Sequence, residues 1–301
     1  MRVLITGATG LIGTEIVKKC HNNGIAVNYL TTSKSKIENT SNYQGFYWNP
    51  SKAEIDVNCV KDVDVIIHLV GSSISKRWTE ANKQVMLSSR LETTALLHET
   101  VKNNPNNIKQ IISASAIGYY PDSLTNYYSE DEKQINDSFL GRVVQEWEQV
   151  VDTFNTLNIT VSKVRIGIVF SEKGGAFPQL EKPIKFGAGA AMGSGEQWMS
   201  WIHLEDLSNI FMHVLEHKLK GVYNGVAPNP ATNKAITKAI AKQLKMPLLL
   251  PNIPKFAMKL VLGEMHILLF ESQRVCSKKI EKSGFKFEYV NLESALEELV
   301  K

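Results

Sequence analysis

The chain has 301 residues, 43% of them apolar and 21% charged, which is a globular composition long enough for one large or two modest domains. Its formal net charge is only +4 and is spread along the chain, which excludes an electrostatic footprint for nucleic acid. The most apolar stretch, residues 256–270, carries Lys259, Glu264 and His266 and is too short and too charged to span a membrane.

The N-terminus, MRVLITG, lacks the apolar core and cleavage site of a signal peptide, so a cytoplasmic location without a membrane partner is expected. Arg2–Thr6 is a short β-branched run closed by Gly7 and reads as a strand. The segment Gly13–His21 places Ile16, Val17 and Cys20 on one helical face, and Asn22, Asn23 and Gly24 stop it. Ile25–Leu30 reads as the second strand. Apolar runs recur at Val63–Val70, Lys109–Ser113, Val161–Val169 and Gly221–Val226, with helical patterns at Asn82–Asn103 and Ser138–Phe154 between them. Strands alternating with helices predict an α/β fold, a doubly wound parallel sheet covered on both faces. The alternation weakens after Val169. Residues 171–200 are glycine-rich, and residues 229–301 carry Pro230, Pro247, Pro251 and Pro254. The expected division is a nucleotide-binding domain over 1–170 and 200–228, with a smaller, partly discontinuous substrate domain over 171–199 and 229–301. Cys20, Cys59 and Cys276 are too scattered for a disulfide framework or a metal motif.

Residues 7–13 read GATGLIG. A Gly-x-x-Gly-x-x-Gly pattern alone is weak, but here it follows a strand and opens a helix. In that context Gly7 permits the tight turn, Gly10 lets the backbone approach a pyrophosphate, and Gly13 lets the helix lie close to the sheet. Free N–H groups at the helix start then meet the phosphates. An NAD-preferring site usually has an acid at the end of the second strand. Here that place reads Leu30-Thr31-Thr32-Ser33-Lys34, and Glu38 comes late. Hydroxyls and Lys34 suit a 2′-phosphate as well as Lys34 suits a solvated loop.

GATGLIG, with SASAIGYY at 113–120 and WIHLEDL at 201–207, resembles the extended short-chain dehydrogenases/reductases. The segments RWTEANKQVMLSSRLETT (77–94), GSGEQWMSWIH (193–203), NGVAPNPATN (224–233) and LGEMHILLFESQRV (262–275) narrow the resemblance. They point to an epimerase-like subfamily with a C-terminal domain of unknown function, labelled sugar-nucleotide epimerase or cell-division inhibitor. The resemblance implies a Rossmann-type fold with NADP(H), or alternatively NAD(H), as cofactor and a small-molecule substrate. It places Gly7, Gly10, Leu11, Ile12 and Gly13 on the pyrophosphate, and Thr31 and Thr32 where relatives commonly have Ser-Arg. It also places Leu69, Val70 and Gly71 past the cofactor ribose and makes Arg90 a cofactor contact.

Members of the wider family use a Ser/Thr and a Tyr-x-x-x-Lys helix, in which the Lys charge lowers the Tyr pKa so that its hydroxyl can move a proton near neutral pH. Here those two positions are Phe139 and Val143, which can do neither. Phe139, Val143, Trp147, Val150 and Phe154 read instead as an apolar, buried helix face. Ser115, Tyr119 and Tyr120 are the remaining candidate proton donors. Arg77, Trp78, Gln197, Trp198, Trp201 and His203 are candidates for the substrate pocket, with core packing as the competing reading for the tryptophans and a structural role for His203. His68, inside an apolar run, reads as a satisfied core histidine, and Glu130 as a solvated loop residue. Two functional readings follow: an NADP(H)-binding epimerase-like oxidoreductase, or a non-catalytic NADP(H)-binding, redox-sensing protein.

Overall fold

The computed structural model describes residues 1–300. The main sheet contains β1 (Arg2–Thr6), β2 (Ala26–Thr31), β3 (Tyr43–Asn49), β4 (Glu54–Ile55), β5 (Val65–His68), β6 (Gln110–Ala116), β8 (Thr160–Ile166) and β13 (Gly221–Gly225). Its order is β13-β8-β6-β5-β1-β2-β3-β4. All neighbours are parallel except the β3–β4 edge pair. The chain winds outward from β1 through β2 and β3, then returns to β5 and winds the other way. The reversal leaves a crevice at the carboxyl ends of β1 and β5, where open α/β sheets of this kind bind their ligands. Helix α1 (Leu11–Asn22) packs with α5 (Leu204–Glu216), and α2 (Glu80–Asn103) with α3 (Phe139–Asp152). The shared core is built from branched residues of the central strands, among them Val3, Leu4, Ile5, Ile66, Ile67, Ile111 and Ile112, all fully buried. The doubly wound parallel sheet is as the sequence reads.

The apolar run after Val161 is not one strand. It breaks at Gly167 into β8 and β9 (Ile168–Ser171). A Cβ on Gly167 would lie 2.2 Å from the Ser200 carbonyl oxygen, so only glycine lets the chain turn there. Strand β9 leaves the main sheet and pairs with β10 (Gly174–Gly175) and β12 (Trp201–His203). Strand β3 was not anticipated. Its Tyr-Gln-Gly-Phe-Tyr-Trp-Asn sequence lacks an aliphatic run, and it is held by pairing to β2.

A second core gathers Phe170, Phe177 and Trp201 with residues of α6 (Asn233–Gln243) and of helix Leu292–Leu299. Helix α4 (Phe177–Lys185) packs there too. Two further pairs join this unit together and to the Rossmann-type unit. Strand β11 (Trp198–Met199) runs antiparallel to β14 (Ala231–Thr232), and β7 (Tyr127–Tyr128) runs parallel to β15 (Arg274–Val275). Among the described residues no helix is long and apolar enough to cross a membrane. The three cysteines are free and buried, and no cluster of three or more metal-ligating side chains is present among those residues.

Candidate dinucleotide and substrate site

The glycine loop lies at the crevice. Gly7 has φ +73°, a left-handed conformation that side chains rarely adopt. A Cβ on Gly13 would sit 2.1 Å from the Gly7 carbonyl oxygen, so α1 approaches the turn too closely for any side chain. Gly10 caps α1 with no side-chain bond, and the first turn carries no acid, which leaves its N–H groups open to an anion. A Cβ on Gly10 would meet only the Gly7 oxygen, at 3.2 Å. The free space on its other side is what a pyrophosphate needs. The tip of the β9–β10 hairpin comes over this loop: a Cβ on Gly175 would lie 3.4 Å from the Leu11 side chain.

His68 sets the opposite wall. Thr6 Oγ1 accepts from the Leu69 and Val70 N–H groups at 3.1 and 3.3 Å, so its proton goes to His68 Nδ1, 2.9 Å away. Thr94 Oγ1 donates to the Arg90 carbonyl and therefore accepts from His68 Nε2 at 3.0 Å. Burial pushes the His68 pKa down to about 3, so the ring is neutral. It is a satisfied core histidine whose bonds fix the backbone at Leu69–Val70. Beside it, Arg90 lies against Gly71, where a Cβ would come within 2.9 Å of the guanidinium. Arg90 Nη1 donates to the Ser72 and Met86 carbonyls, and its cation lies 5.0 Å from the Trp147 ring with no carboxylate partner among the described residues. Burial lowers its pKa to about 10. The Trp147 indole N–H is buried without an acceptor among the described residues. At the end of β2, Thr31 is buried and its hydroxyl accepts from Ser33 N–H, while Thr32 and Lys34 are exposed; the Lys34 ammonium lies 4.9 Å from the Tyr47 ring.

The strand-end hydroxyls separate into two kinds. Ser115 is buried and donates to Glu148 Oε1 at 2.6 Å. Glu148 is in turn held by Arg165 through Nε and Nη2. Burial opposes ionisation of Glu148, but the Arg165 bonds and the Lys163 charge outweigh it and hold the carboxyl below its usual range. Tyr120 is fully buried; it donates to Asn224 Oδ1 at 2.6 Å and accepts from Arg165 Nη1 at 3.2 Å. Burial raises its pKa to about 12. Tyr119 differs. It is half-buried, its ring lies 3.4 Å from the Arg165 guanidinium, and its hydroxyl has no hydrogen-bond partner among the described residues. Glu130 is not a solvated loop residue: its carboxylate accepts from the Asn224 backbone N–H at 2.8 Å and closes the β13 edge. Glu148 and Arg165 are functional-region residues that the sequence reading passed over. The available signal was a pair of cations, Lys163 and Arg165, inside an apolar strand.

Phe139 is a correction to the buried face. Val143, Trp147 and Phe154 are buried, but Val150 is only half-buried, and so is Phe139, because α3 begins there at the rim of the sheet. It lines a cavity of about 240 Å³ with Lys83 and Arg142. Trp78 meets its ring edge-on at 5.4 Å.

The expected pocket residues do not converge. Arg77 is exposed. Trp78 is buried, its indole N–H on the Ile74 carbonyl and its ring against Phe139. Gln197 is buried and donates to the Met192 and Leu269 carbonyls, a structural tie. Trp201 is fully buried in the second core against Phe170 and reaches no cavity. His203 accepts from Glu205 N–H as the cap of α5, and its Nε2 faces Glu298 at 3.2 Å, which accounts for both ring nitrogens. Trp198 is half-buried, with its indole N–H on the Leu124 carbonyl.

Comparison with known proteins adds five findings. Residues 3–225 match the model of the NAD dependent epimerase/dehydratase family, and residues 253–299 match a domain of unknown function, DUF1731. An epimerase family protein of Staphylococcus saprophyticus is 35% identical over 299 residues, 99% of this chain and 98% of that one. The crystal structure of human epimerase family protein SDR39U1 (isoform 2) with NADPH is similar with a TM-score of 0.86 and 29% identity, covering 100% of this chain and 99% of that one. UDP-glucuronic acid 4-epimerase from Bacillus cereus, in complex with UDP-glucuronic acid and NAD, shares the fold at a TM-score of 0.79 and 18% identity over 99% of this chain and 97% of that one.

Proposed function

The chain belongs to the NAD-dependent epimerase/dehydratase family, and from that premise we propose that it is an NADP(H)-binding, epimerase-like oxidoreductase acting on a small molecule without the usual Tyr-Lys pair. The observation that carries the cofactor half is the Gly7–Gly13 turn. It is closed to any side chain at Gly13 and open beside Gly10, and it sits at the sheet's reversal point. Those residues fit a dinucleotide. Gly7, Gly10, Leu11, Ile12 and Gly13 would hold the pyrophosphate, Leu69, Val70 and Gly71 the ribose side, and Arg90, already held by two backbone carbonyls, would add its charge there. Thr31, Thr32 and Lys34 would face the adenosine end. When bound, the nicotinamide supplies hydride exchange.

The chain's own contribution is positioning and proton handling. The bonds of His68 through Thr6 fix the Leu69–Val70 wall. Glu148 and Arg165 lock Ser115 and Tyr120 in place, which leaves Tyr119 as the strand-end hydroxyl with its proton uncommitted. The Arg165 guanidinium lies against the face of its ring, 3.4 Å from the centroid, and holds it in place. Tyr119 is therefore assigned as the proton donor, with Ser115 and Tyr120 supporting it. The substrate class that the relatives' names carry is a nucleotide sugar, and the Trp198 side of the cleft is where it would enter. The domain of residues 1–170 and 200–228 would carry the cofactor, and residues 171–199 and 229–301 the substrate.

Phe139 and Val143 favour a second reading, a non-catalytic NADP(H)-binding sensor. Nicotinamide absorbance separates the two. A catalyst exchanges hydride with an added nucleotide sugar and loses it in Tyr119→Phe; a sensor binds NADPH and turns over none. Absence of NADPH binding would overturn both.

A further inference from the structure

Arg274 is a cation without a counter-ion among the described residues. Its guanidinium lies 4.3 Å from the Trp198 ring and 5.0 Å from the Tyr127 ring. Its Nε is buried with no acceptor, and its side chain makes no hydrogen bond or ion pair among the described residues. The other partly or fully buried arginines differ. Arg165 has Glu148, Arg90 has two carbonyls, and Arg2 has Asn28 and the Ser41 carbonyl. Ring faces satisfy a guanidinium's planes but leave its donors unbonded, and donors lie in that plane.

The strand pattern explains where those donors face. On β15 the neighbours of Arg274, Gln273 and Val275, are buried, and Gln273 donates to the Tyr120 carbonyl. On β7, Tyr128 is buried and stacks on Tyr120. Arg274 and Tyr127 alternate with these residues and so occupy the opposite, outer face of the pair, where Tyr127 is 45% exposed. Trp198 reaches that face from β11 and is pinned by the Leu124 carbonyl. Two rings fixed by separate elements thus hold one guanidinium plane at the junction of the Rossmann-type and C-terminal units, with Nε enclosed and the two Nη groups left as the fork a ligand can reach. A pre-oriented fork suits an oxyanion that accepts two parallel N–H bonds, and orientation by stacking reduces the entropy lost on binding.

We propose that Arg274, clamped between Trp198 and Tyr127, is a binding site for an oxyanion, the carboxylate or phosphate of a small-molecule ligand. It rests on the reading above only in taking the Trp198 side of the cleft as the substrate side; the glycine loop has no part in it.

The test uses the full chain and two probes, inorganic phosphate and acetate, each at constant ionic strength against sodium chloride. Binding is read at the Arg274 Nε–H signal in a ¹⁵N–¹H spectrum, assigned by its loss in Arg274→Lys, and by tryptophan fluorescence, with Trp198→Phe as control. The expected result is a saturable shift of the Arg274 signal by at least one probe and not by chloride. Arg274→Ala should weaken the fluorescence-detected binding by about tenfold or more, and Arg274→Lys by less, since it keeps charge but not the fork. Phosphate alone acting names a phosphate-bearing ligand, and acetate alone a carboxylate. An Arg274 signal unmoved by both at tens of millimolar, with Arg274→Ala only lowering the melting temperature, overturns the proposal and leaves a purely structural clamp. NADPH affinity is measured in the same variants. It should stay unchanged, so a failure of the cofactor reading shows separately.

Discussion

Arg165 grips Glu148 with two parallel bonds, Nε to Oε1 at 2.8 Å and Nη2 to Oε2 at 2.9 Å, both residues being buried between β8 and α3. Removing one partner leaves the other charge buried and unpaired. Glu148→Ala should therefore lower stability by about 3–5 kcal/mol. The folded carboxyl titrates below its usual 4.5, so this stabilisation is complete above that pH and is lost as pH falls through the folded value. Denaturant unfolding would check it; a loss under about 1 kcal/mol would mean that the pair is not buried as described.

His68 has the same sign for a different reason. An unfolded histidine takes a proton at 6.5, whereas the buried ring refuses it down to about 3. Between those values stability should fall with falling pH by about 1.4 kcal/mol per unit. Unfolding midpoints of wild type and His68→Gln, compared at neutral pH and within that window, isolate the effect. Identical pH slopes in the two proteins would refute it.

Two glycine substitutions should separate folding from binding. Gly13→Ala forces a Cβ to within 2.1 Å of a carbonyl and should destabilise the turn itself. Gly10→Val should leave a folded protein that no longer binds NADPH, because the branched side chain fills the space beside α1. The readouts are thermal melting and nicotinamide fluorescence. A folded Gly10→Val protein with normal NADPH affinity would remove the loop from the site.

Lys34 should set the preference between the dinucleotides. Its ammonium is exposed and near only the Tyr47 ring, so a 2′-phosphate gains a partner that a bare ribose does not. Lys34→Ala should weaken NADPH by about tenfold and leave NADH unchanged. Parallel titrations decide this, and an equal loss for both nucleotides would count against it.

Restoring the missing pair should fail at one position only. Val143 is 3% exposed, and a lysine there would bury an unpaired charge at a cost of roughly 3–5 kcal/mol. Phe139 stands at a cavity rim, so Phe139→Tyr should change stability by less than about 0.5 kcal/mol. Chemical denaturation of each single variant tests the contrast, which a comparable loss in both would abolish.

The sheet and the glycine turn were legible because local pattern decides them: β-branched runs closed by glycine make strands, and a helix opening on glycine needs no long-range partner. His68 could be placed because an isolated histidine in an apolar run is buried with its strand, although its partners Thr6 and Thr94 come from other elements. The rest depends on contacts between distant segments. Trp201 and Trp198 are three residues apart in a glycine-rich stretch, yet one is core and the other meets Arg274, because β12 pairs with β9 while β11 pairs with β14. Phe139 carries the same periodicity as Val143 but stands where the helix begins, and periodicity cannot show where a face runs out of neighbours. Glu148 and Arg165 became meaningful only when β8 and α3 were brought together.

The pairing of Tyr127 with Arg274 also sets an order of events during synthesis. The first half of the chain leaves the ribosome with the 121–130 loop lacking its partner strand, and Tyr128 and Tyr120 lacking the Val275 side of their cluster. That corner cannot close until Arg274 and Val275 have been translated. The nascent Rossmann-type unit should therefore expose an apolar, protease-sensitive loop until that strand is made, and truncation before Arg274 should leave this loop open.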